Sequence, residues 1–151
     1  MASAGFYTIH NSEIRFAADG YWYADGKRIE NRRIAALFSR SVERDPDGGY
    51  RLRVADEVAP IIVDDTAYVV TGVTLAARIE LTLNDGSCEP LVEDSLEISS
   101  EHVFYCMVKG ASEPARFLRA AHYQLADLIH ERADGSFELR IENRAIAIRT
   151  R

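Results

Sequence analysis

Three basic residues near position 110 have the types and spacing that could hold an anion. Lys109 precedes a predicted helix, and Arg116 and Arg119 fall in its first turns, three residues apart and so on one face. Guanidinium forks and the free N–H groups of a helix N-terminus both bind phosphate or carboxylate. The pattern predicts an anion site at these three residues. Because the chain has 24 acidic residues, pairing with neighbours such as Glu113 is the structural alternative.

The start of an earlier predicted helix carries a similar basic group. Lys27, Arg28, Arg32 and Arg33 lie around it, with Glu30 adjacent. Cations at a helix N-terminus oppose its dipole unless something negative lies there. This group therefore has the same two interpretations, an anion site or local ion pairs.

Five aromatic residues are candidates to line a ligand cleft between the two halves of the chain: Tyr21, Trp22, Tyr23, Tyr68 and Tyr105. Side chains alternate along a strand, so Trp22 should point away from Tyr21 and Tyr23, which share a face that could meet a base or a partner. Aromatic residues on half-buried strands also form cores, which is the structural alternative.

An acidic cluster, Glu57, Asp64 and Asp65, surrounds one predicted strand and its turn. Such a group could bind a hard cation weakly or supply a general base. Since Asp64 and Asp65 should point to opposite faces, the alternative is that one pairs with an arginine and the other caps a turn.

No catalytic or metal-binding residue is predicted. The histidines are His10, His102, His122 and His130; the last two share an element but lie about 12 Å apart along it, too far to chelate one ion. Phosphate loops, dinucleotide fingerprints, zinc-protease motifs and nucleophile elbows do not occur in the sequence, and we expect no cofactor.

Composition limits the partners and the location. The 151 residues carry a net charge of −6, which argues against nucleic acid and against an anionic membrane surface. Two widely spaced cysteines do not form a disulfide framework, and the N-terminus does not have the pattern of a signal peptide. We expect a cytoplasmic protein; the oligomeric state is left open.

The sequence predicts two helices in a chain made mostly of short strands. Helical periodicity predicts one helix over residues 29–45, with Ile34, Leu37, Phe38 and Val42 on its apolar stripe and Pro46 ending it. A second is predicted over residues 112–132, capped by Ser112. Its apolar stripe comprises Phe117, Ala121, Leu125, Leu128 and Ile129. Runs rich in β-branched and aromatic residues predict strands elsewhere, the first at residues 6–10, and Asp-Gly pairs predict tight turns.

One segment is written nearly twice. "DGGYRLRV" at residues 47–54 returns 87 positions later as "DGSFELRI", and the preceding helices also match. We predict an α+β fold built from a duplicated unit of antiparallel strands plus one helix, with halves at residues 1–75 and 76–151. Convergence on a common helix–turn–strand pattern is the alternative.

Four segments together resemble a known bacterial family from about residue 14 onward. They are "DGYWYADGKRI", "RIAALFSRSVERDPDGGYRL", "EVAPIIVDDTAYVV" and "YCMVKGASEPARFLRAAHYQL". They are similar to the proteins of the domain of unknown function 1285 and to a related set numbered 4505. The resemblance implies a duplicated core whose C-terminal half is pleckstrin-homology-like, and no established activity. The chain departs from the family at Ala67-Tyr68 and at its C-terminus.

We expect a binding rather than a catalytic role. The first hypothesis is a small-molecule or signalling module that takes an anionic, nucleotide-like ligand between its halves. The second is a protein-interaction adaptor that uses a sheet edge or an aromatic patch.

Overall fold

A computed structural model describes Ile9 and residues 11–151. The strand predicted at residues 6–10, with His10, lies outside the described residues except for Ile9. Within the described part the fold is mixed α+β, mostly strands with two α-helices and two sheets, which confirms the predicted fold class. No helix among the described residues is long and apolar enough to span a bilayer.

The chain divides into two compact units, which are described separately. The first comprises the residues up to Ala67 together with 84–86, and the second comprises Tyr68–Leu83 and Ser87–Arg151. The elements of the first are β1 (Ile14–Phe16), β2 (Trp22–Ala24), β3 (Lys27–Arg28), α1 (Arg32–Arg40), β4 (Val42–Arg44), β5 (Tyr50–Val54) and β6 (Glu57–Val63). The second begins with β7 (Tyr68–Leu75), β8 (Ile79–Leu83), β9 (Cys88–Pro90), a single 3₁₀ turn (Glu93–Ser95) and β10 (Glu97–Ile98). It continues with β11 (Phe104–Val108), β12 (Glu113–Phe117), α2 (Arg119–Ala126), β13 (Ile129–Glu131), β14 (Phe137–Ile141) and β15 (Arg144–Thr150).

The core of the first unit forms between α1 and the inward face of its sheet. Trp22 is almost fully buried; its ring centroid lies 4.8 Å from that of Phe16 and 5.6 Å from that of Phe38 on α1. Its indole N–H donates to the Ser39 hydroxyl at 2.9 Å, so the buried polar end of the ring is satisfied. Burial of these rings holds the helix on the sheet.

The predicted Asp-Gly turn after β2 follows from backbone sterics. Asp25 and Gly26 have φ of 50° and 82°, and they form the two-residue loop between β2 and β3. Positive φ at both central positions matches a type I′ hairpin, which Asp-Gly tolerates better than other pairs. The short β3 edge that carries Lys27 and Arg28 is placed by this turn.

The core of the second unit lies between α2 and a nine-stranded sheet. Fully buried residues from β7, β8, α2 and β14 meet there, among them Val70, Leu81, Leu125 and Leu139. β7 carries a bulge between Val70 and Gly72. The Gln124 side chain of α2 accepts a hydrogen bond from the Val73 N–H at 2.7 Å, which satisfies a donor beside the bulge.

The strand order of the six-stranded sheet recurs within the larger one. The first sheet runs β3-β2-β1-β6-β5-β4, and β12-β11-β10-β15-β14-β13 follows the same plan in the second, which adds β7, β8 and β9 beyond β12. From α1 onward the corresponding elements start 87 residues apart. Their registers agree as well: Val42 pairs with Leu52, and Ile129 pairs with Leu139.

The first helix is shorter than the periodicity predicted. It ends at Arg40, and Val42–Arg44 forms β4 instead of a further helical turn. Val42 pairs across the sheet with Leu52, so tertiary pairing overrides a helical phase that β-branched valine supports only weakly.

The second predicted helix is wrong over its first third. Residues 113–117 form β12, and Ser112 caps no helix; its hydroxyl donates to the Lys109 carbonyl. Glu113, Ala115 and Phe117 are buried and alternate with less buried residues, which is a strand period. The helix begins only at Arg119 and ends at Ala126, so Leu128 lies beyond it and Ile129 lies in β13.

Candidate functional site

Lys109 of the predicted anion site lies in the turn after β11 and is engaged within its own unit. Its φ of 55° puts it in the left-handed region at the tip of the β11–β12 hairpin. Its ammonium contacts the Ser87 hydroxyl at 3.0 Å and lies 5.2 Å from the centre of the Tyr68 ring. Its backbone N–H donates to a Glu89 carboxylate oxygen at 3.0 Å.

Arg116 lies on β12 and faces away from the core of the second unit. It donates to the Tyr105 hydroxyl at 3.1 Å, and the two residues pair across β11 and β12. The guanidinium carbon of Arg151 lies 3.9 Å from the centre of the Tyr105 ring. Tyr105 is buried, so this arginine–tyrosine–arginine group presents little aromatic surface to solvent.

The three predicted anion-binding residues are not brought into one cluster by the hairpin. Lys109 lies beyond Val108, which pairs with Glu113, whereas Arg116 is three residues farther along β12, about 10 Å away at the rise of a strand. Arg119 is the first residue of α2; it is exposed and makes no side-chain bond with the described residues. Their shared helix face, on which the prediction relied, is absent because Arg116 lies in a strand.

The predicted cleft aromatics have different environments. Trp22 is in the core of the first unit, whereas Tyr21 is 49% exposed under the Arg28 guanidinium, 4.4 Å from the ring centre. The Tyr23 hydroxyl donates to Asp19 at 2.6 Å, and this bond raises the pKa of Tyr23. Tyr21 and Tyr23 thus lie outside the core that takes Trp22. Tyr68 and Tyr105 belong to the other unit, and a common cleft stays a prediction.

The acidic cluster is spread along one strand. Glu57 begins β6 and Asp64 follows its end, so seven residues, or about 23 Å of strand, separate them. Asp64 forms an ion pair with Arg15, as the structural alternative for one of the two aspartates expects, and Asp65 is half-buried. The described residues hold no group of three or more potential metal ligands.

The outward face of α1 concentrates exposed cations. Arg32, Arg33 and Arg40 are exposed, while Ile34 and Phe38 on the opposite side of the helix are buried. At 100° per residue these three arginines fall within about 100° of one another around the helix axis. None of their side chains makes an ion pair or hydrogen bond with residues in the described part of the chain. We call these three residues the α1 arginine face.

The start of α1 is capped by a side chain of the chain itself. The Asn31 side chain accepts the N–H groups of Arg33 at 3.0 Å and Ile34 at 3.2 Å, which is the usual N-cap arrangement. The first turn has no acidic residue. An anion at this site would therefore be bound by the guanidinium groups of the α1 arginine face and not by the N–H groups of the helix terminus.

The segment around this face has a net charge opposite in sign to that of the rest of the chain. Residues 27–40 contain five basic residues and one acidic residue, a net charge of +4. Because the whole chain has a net charge of −6, the remaining residues carry −10. Its one acidic residue, Glu30, pairs with Arg28 at 3.2 Å. Arg28 thus has a local partner. Arg32 and Arg33 were among the predicted basic residues and Arg40 was not, although its helical spacing from Arg33 places it on the same face.

Comparison with known proteins shows a structural likeness. No family model matches the sequence, and no curated protein matches it. A DUF1285 family protein from Silicibacter pomeroyi DSS-3 is similar with a TM-score of 0.69 at 24% identity, over 99% of this chain and 91% of that one. Another from Shewanella baltica OS155 has a TM-score of 0.60 at 16% identity, over 78% of this chain and 92% of that one.

The resemblance predicted from the four sequence segments is therefore confirmed in three dimensions: the chain has the fold of the DUF1285 family proteins.

Proposed function

We propose that this protein is an interaction module that binds an acidic segment of a partner protein on the α1 arginine face. The observation that carries the proposal is the contrast between cations. Lys109 and Arg116 are engaged by groups of their own unit, whereas Arg32, Arg33 and Arg40 are exposed and make no side-chain bond with the described residues. Three guanidinium groups on one helix face repel one another, and an anionic partner would relieve that repulsion.

The size of the face supports a short acidic segment as its occupant. Seven residues separate Arg33 from Arg40, about 10 Å along the helix axis. An extended peptide covers that distance with three or four residues. A long polyanion such as nucleic acid would also meet the −10 charge of the remaining residues, which opposes its binding.

Binding of an acidic peptide tests the proposal directly. The probe is a fluorescently labelled peptide of ten glutamates, titrated at about 50 mM and 200 mM salt. Replacing Arg32, Arg33 and Arg40 with alanine should weaken binding about five- to tenfold, because three ion pairs of about 0.3–0.5 kcal/mol each are lost. Alanine is the best helix former, so α1 should remain folded.

A control variant separates a local site from overall charge. Arg78, Arg119 and Arg149 are exposed cations of the other unit, and replacing all three with alanine changes the net charge by the same amount. This control should bind the peptide like the wild type. Equal loss in both triple variants, or no loss in the α1 variant, would contradict the proposal.

The small anionic ligand predicted from the sequence is the competing function and stays a prediction. A thermal-shift panel of nucleotides and anionic metabolites tests it, because a ligand that binds only the native state raises the unfolding temperature with concentration. A hit that persists in the α1 triple variant would favour that function over peptide docking. We propose a cytoplasmic location as well, because Cys88 is an exposed free thiol, which a reducing compartment preserves.

We also propose that the two units arose by duplication. The shared strand order and the constant 87-residue spacing from α1 onward support this origin. Equivalent backbone details agree too: Ala55 and Glu142, 87 positions apart, have φ of 55° and 52°. The pleckstrin-homology-like character of the C-terminal half stays a prediction.

A further inference from the structure

Each unit closes the six-strand plan that the two sheets share with one parallel strand pair, and an ion pair lies at the end of each. The second unit has a further parallel pair, β7 with β12, which has no counterpart in the first. In the first unit Arg15 of β1 pairs with Asp64, which follows β6. In the second, Glu97 of β10 pairs with Arg151, which follows β15, at 3.2 Å. The basic residue is on the first strand in one unit and after the last strand in the other.

The two ion pairs have opposite polarity, whereas the backbones of the two parallel strand pairs are equivalent. Phe16 is opposite Val63 in one, and Ile98 is opposite Thr150 in the other. The Asp64 N–H donates to the Phe16 carbonyl at 3.0 Å, and the Arg151 N–H donates to the Ile98 carbonyl at 2.9 Å. Main-chain hydrogen bonding alone therefore gives β1 no reason to prefer β6 over β15.

Within the six-strand plan that the two units share, chain connectivity decides the other pairings but not these two. Tight turns join the antiparallel neighbours β4 to β5 and β5 to β6, as they join β13 to β14 and β14 to β15. A tight turn determines both partner and register. The parallel pairs join strands separated by more than 40 residues, so two equivalent first strands can compete for two equivalent last strands.

We propose that the inverted polarity of these two ion pairs selects the correct partner for each parallel pairing. If β6 paired with β10, Asp64 would lie beside Glu97. If β15 paired with β1, Arg151 would lie beside Arg15. Both wrong pairings replace an attraction with a repulsion, within one chain during folding or between two copies that exchange strands.

The exposure of these pairs fits a role in selection better than one in stability. The side chains of Arg15 and Asp64 are 37% and 34% exposed, and those of Glu97 and Arg151 are 28% and 39% exposed. Ion pairs as exposed as these contribute little net stability because water screens them. Small energy differences decide a competition between near-equal strand pairings. When the two last strands are exchanged, both attractive ion pairs become repulsive contacts together.

A second inversion of polarity does not serve this role. Asp45 contacts Arg51 at 3.6 Å, and the equivalent Arg132 contacts Glu138 at 2.7 Å with the charges exchanged. Both pairs lie within local hairpins, where the turn already decides which strands meet. We assign selection only to the pairs that close the parallel strands.

A four-member cycle of charge reversals tests the proposal on the full chain. One variant carries Arg15→Glu with Asp64→Arg, a second carries Glu97→Arg with Arg151→Glu, and a third carries all four changes. Each reversal retains an ion pair in its unit. Either reversal alone gives both units the same polarity and removes the discrimination, whereas the four changes together restore it.

The measurement is refolding from denaturant at several protein concentrations, followed by size-exclusion chromatography with light scattering. Relative to the wild type, each single-unit reversal should increase the misassembled or strand-exchanged fraction several-fold, about tenfold at high concentration. The variant with all four substitutions should return toward the wild-type proportion of correctly assembled protein. Local costs, such as loss of the Arg151 contact with Tyr105, occur in both arms of the cycle and cancel in the coupling term.

Two results would overturn the inference. Refolding of both single-unit reversals with the wild-type distribution would show that polarity has no part in pairing. The variant with all four substitutions could instead show an increase in misassembled fraction equal to the sum of the increases in the two single-unit reversals. That result would show that the reversals act only through local damage.

Discussion

Ser39 is the residue on which the buried polar groups of the first unit converge. Its hydroxyl accepts the Trp22 indole N–H at 2.9 Å and an Asn84 side-chain N–H at 3.2 Å, and the residue is buried. Replacing Ser39 with alanine removes the acceptor of both hydrogen bonds but almost no volume. We expect a loss of about 1–3 kcal/mol in the free energy of unfolding, because the buried indole N–H of Trp22 would lose its hydrogen-bond partner.

Urea unfolding followed by the fluorescence of Trp22, the single tryptophan, measures this loss. Ser41→Ala is the matched control, since the Ser41 hydroxyl donates to the Leu37 carbonyl of its own helix and the residue is half-buried. A Ser39 variant as stable as the Ser41 variant would contradict the assignment.

The two cysteines should differ sharply in reactivity. Cys106 is buried on β11, and burial raises the pKa of its thiol to about 12, whereas Cys88 is exposed on β9. Only a thiolate reacts with disulfide reagents. We expect one thiol to be titrated rapidly in the native protein and two in denaturant, with Cys88→Ser abolishing the rapid phase. Rapid modification of Cys106 in the folded Cys88→Ser variant would contradict the burial.

The fate of the predicted site was decided residue by residue. The types of Lys109, Arg116 and Arg119 made them candidates for an anion site, which stays a prediction. Which partner each one takes depends on residues such as Ser87 and Tyr105, at sequence separations of 22 and 11. No spacing rule contains that information, because strand pairing creates the neighbours.

Equivalent turns in the two units allow a matched test at the scale of elements. Gly48 and Gly135 have φ of 96° and 86°, and a Cβ added at either would meet no atom within 4 Å. The cost of alanine is therefore conformational only, about 1 kcal/mol or slightly more at each turn.

Thermal unfolding of Gly48→Ala and Gly135→Ala should show similar decreases in the midpoint. Gly49→Ala is the control, because Gly49 does not have positive φ. A neutral effect at Gly48 or Gly135, or an equal effect at Gly49, would contradict the positive φ of the turns.

Strand β12 shows how element prediction failed and what signal was present. Residues 112–132 contain enough apolar residues at helical spacing to suggest one long helix, and Pro114 suits a first turn. The alternation of Glu113, Ala115 and Phe117 was visible, but a five-residue strand next to a helix gives two periods that overlap. Pairing of β12 with both β11 and β7 resolves the ambiguity in favour of the strand.

Stability of the whole molecule should decrease in acid. Hydrogen bonds from Arg140 and Arg132 lower the pKa of Glu138, and those from Arg53 and Arg51 lower the pKa of Glu43. A carboxyl whose folded pKa lies below its unfolded value stabilises the fold above the unfolded pKa, and this contribution is lost as the pH falls through the folded pKa. We expect the loss to develop below about pH 4.5.

Unfolding free energies of wild type and Glu138→Gln between pH 7 and pH 3 measure this term. The variant should be less stable at pH 7 and should approach the wild type in acid. Asp56→Asn is the control, because Asp56 makes no ion pair with the described residues. A constant difference between Glu138→Gln and wild type over this pH range would contradict the prediction.

The mixed α+β class, the turns at Asp25-Gly26 and Gly48, and the recurrence at 87 residues could all be predicted from the sequence. These depend on local sterics and on alternating burial, both of which are properties of neighbouring residues. That residues 113–117 form a strand, and which cations have partners, became visible only in the folded chain. Those outcomes depend on contacts such as Arg15 with Asp64, 49 positions apart, whose distance is set by how strands pair and not by how residues follow one another.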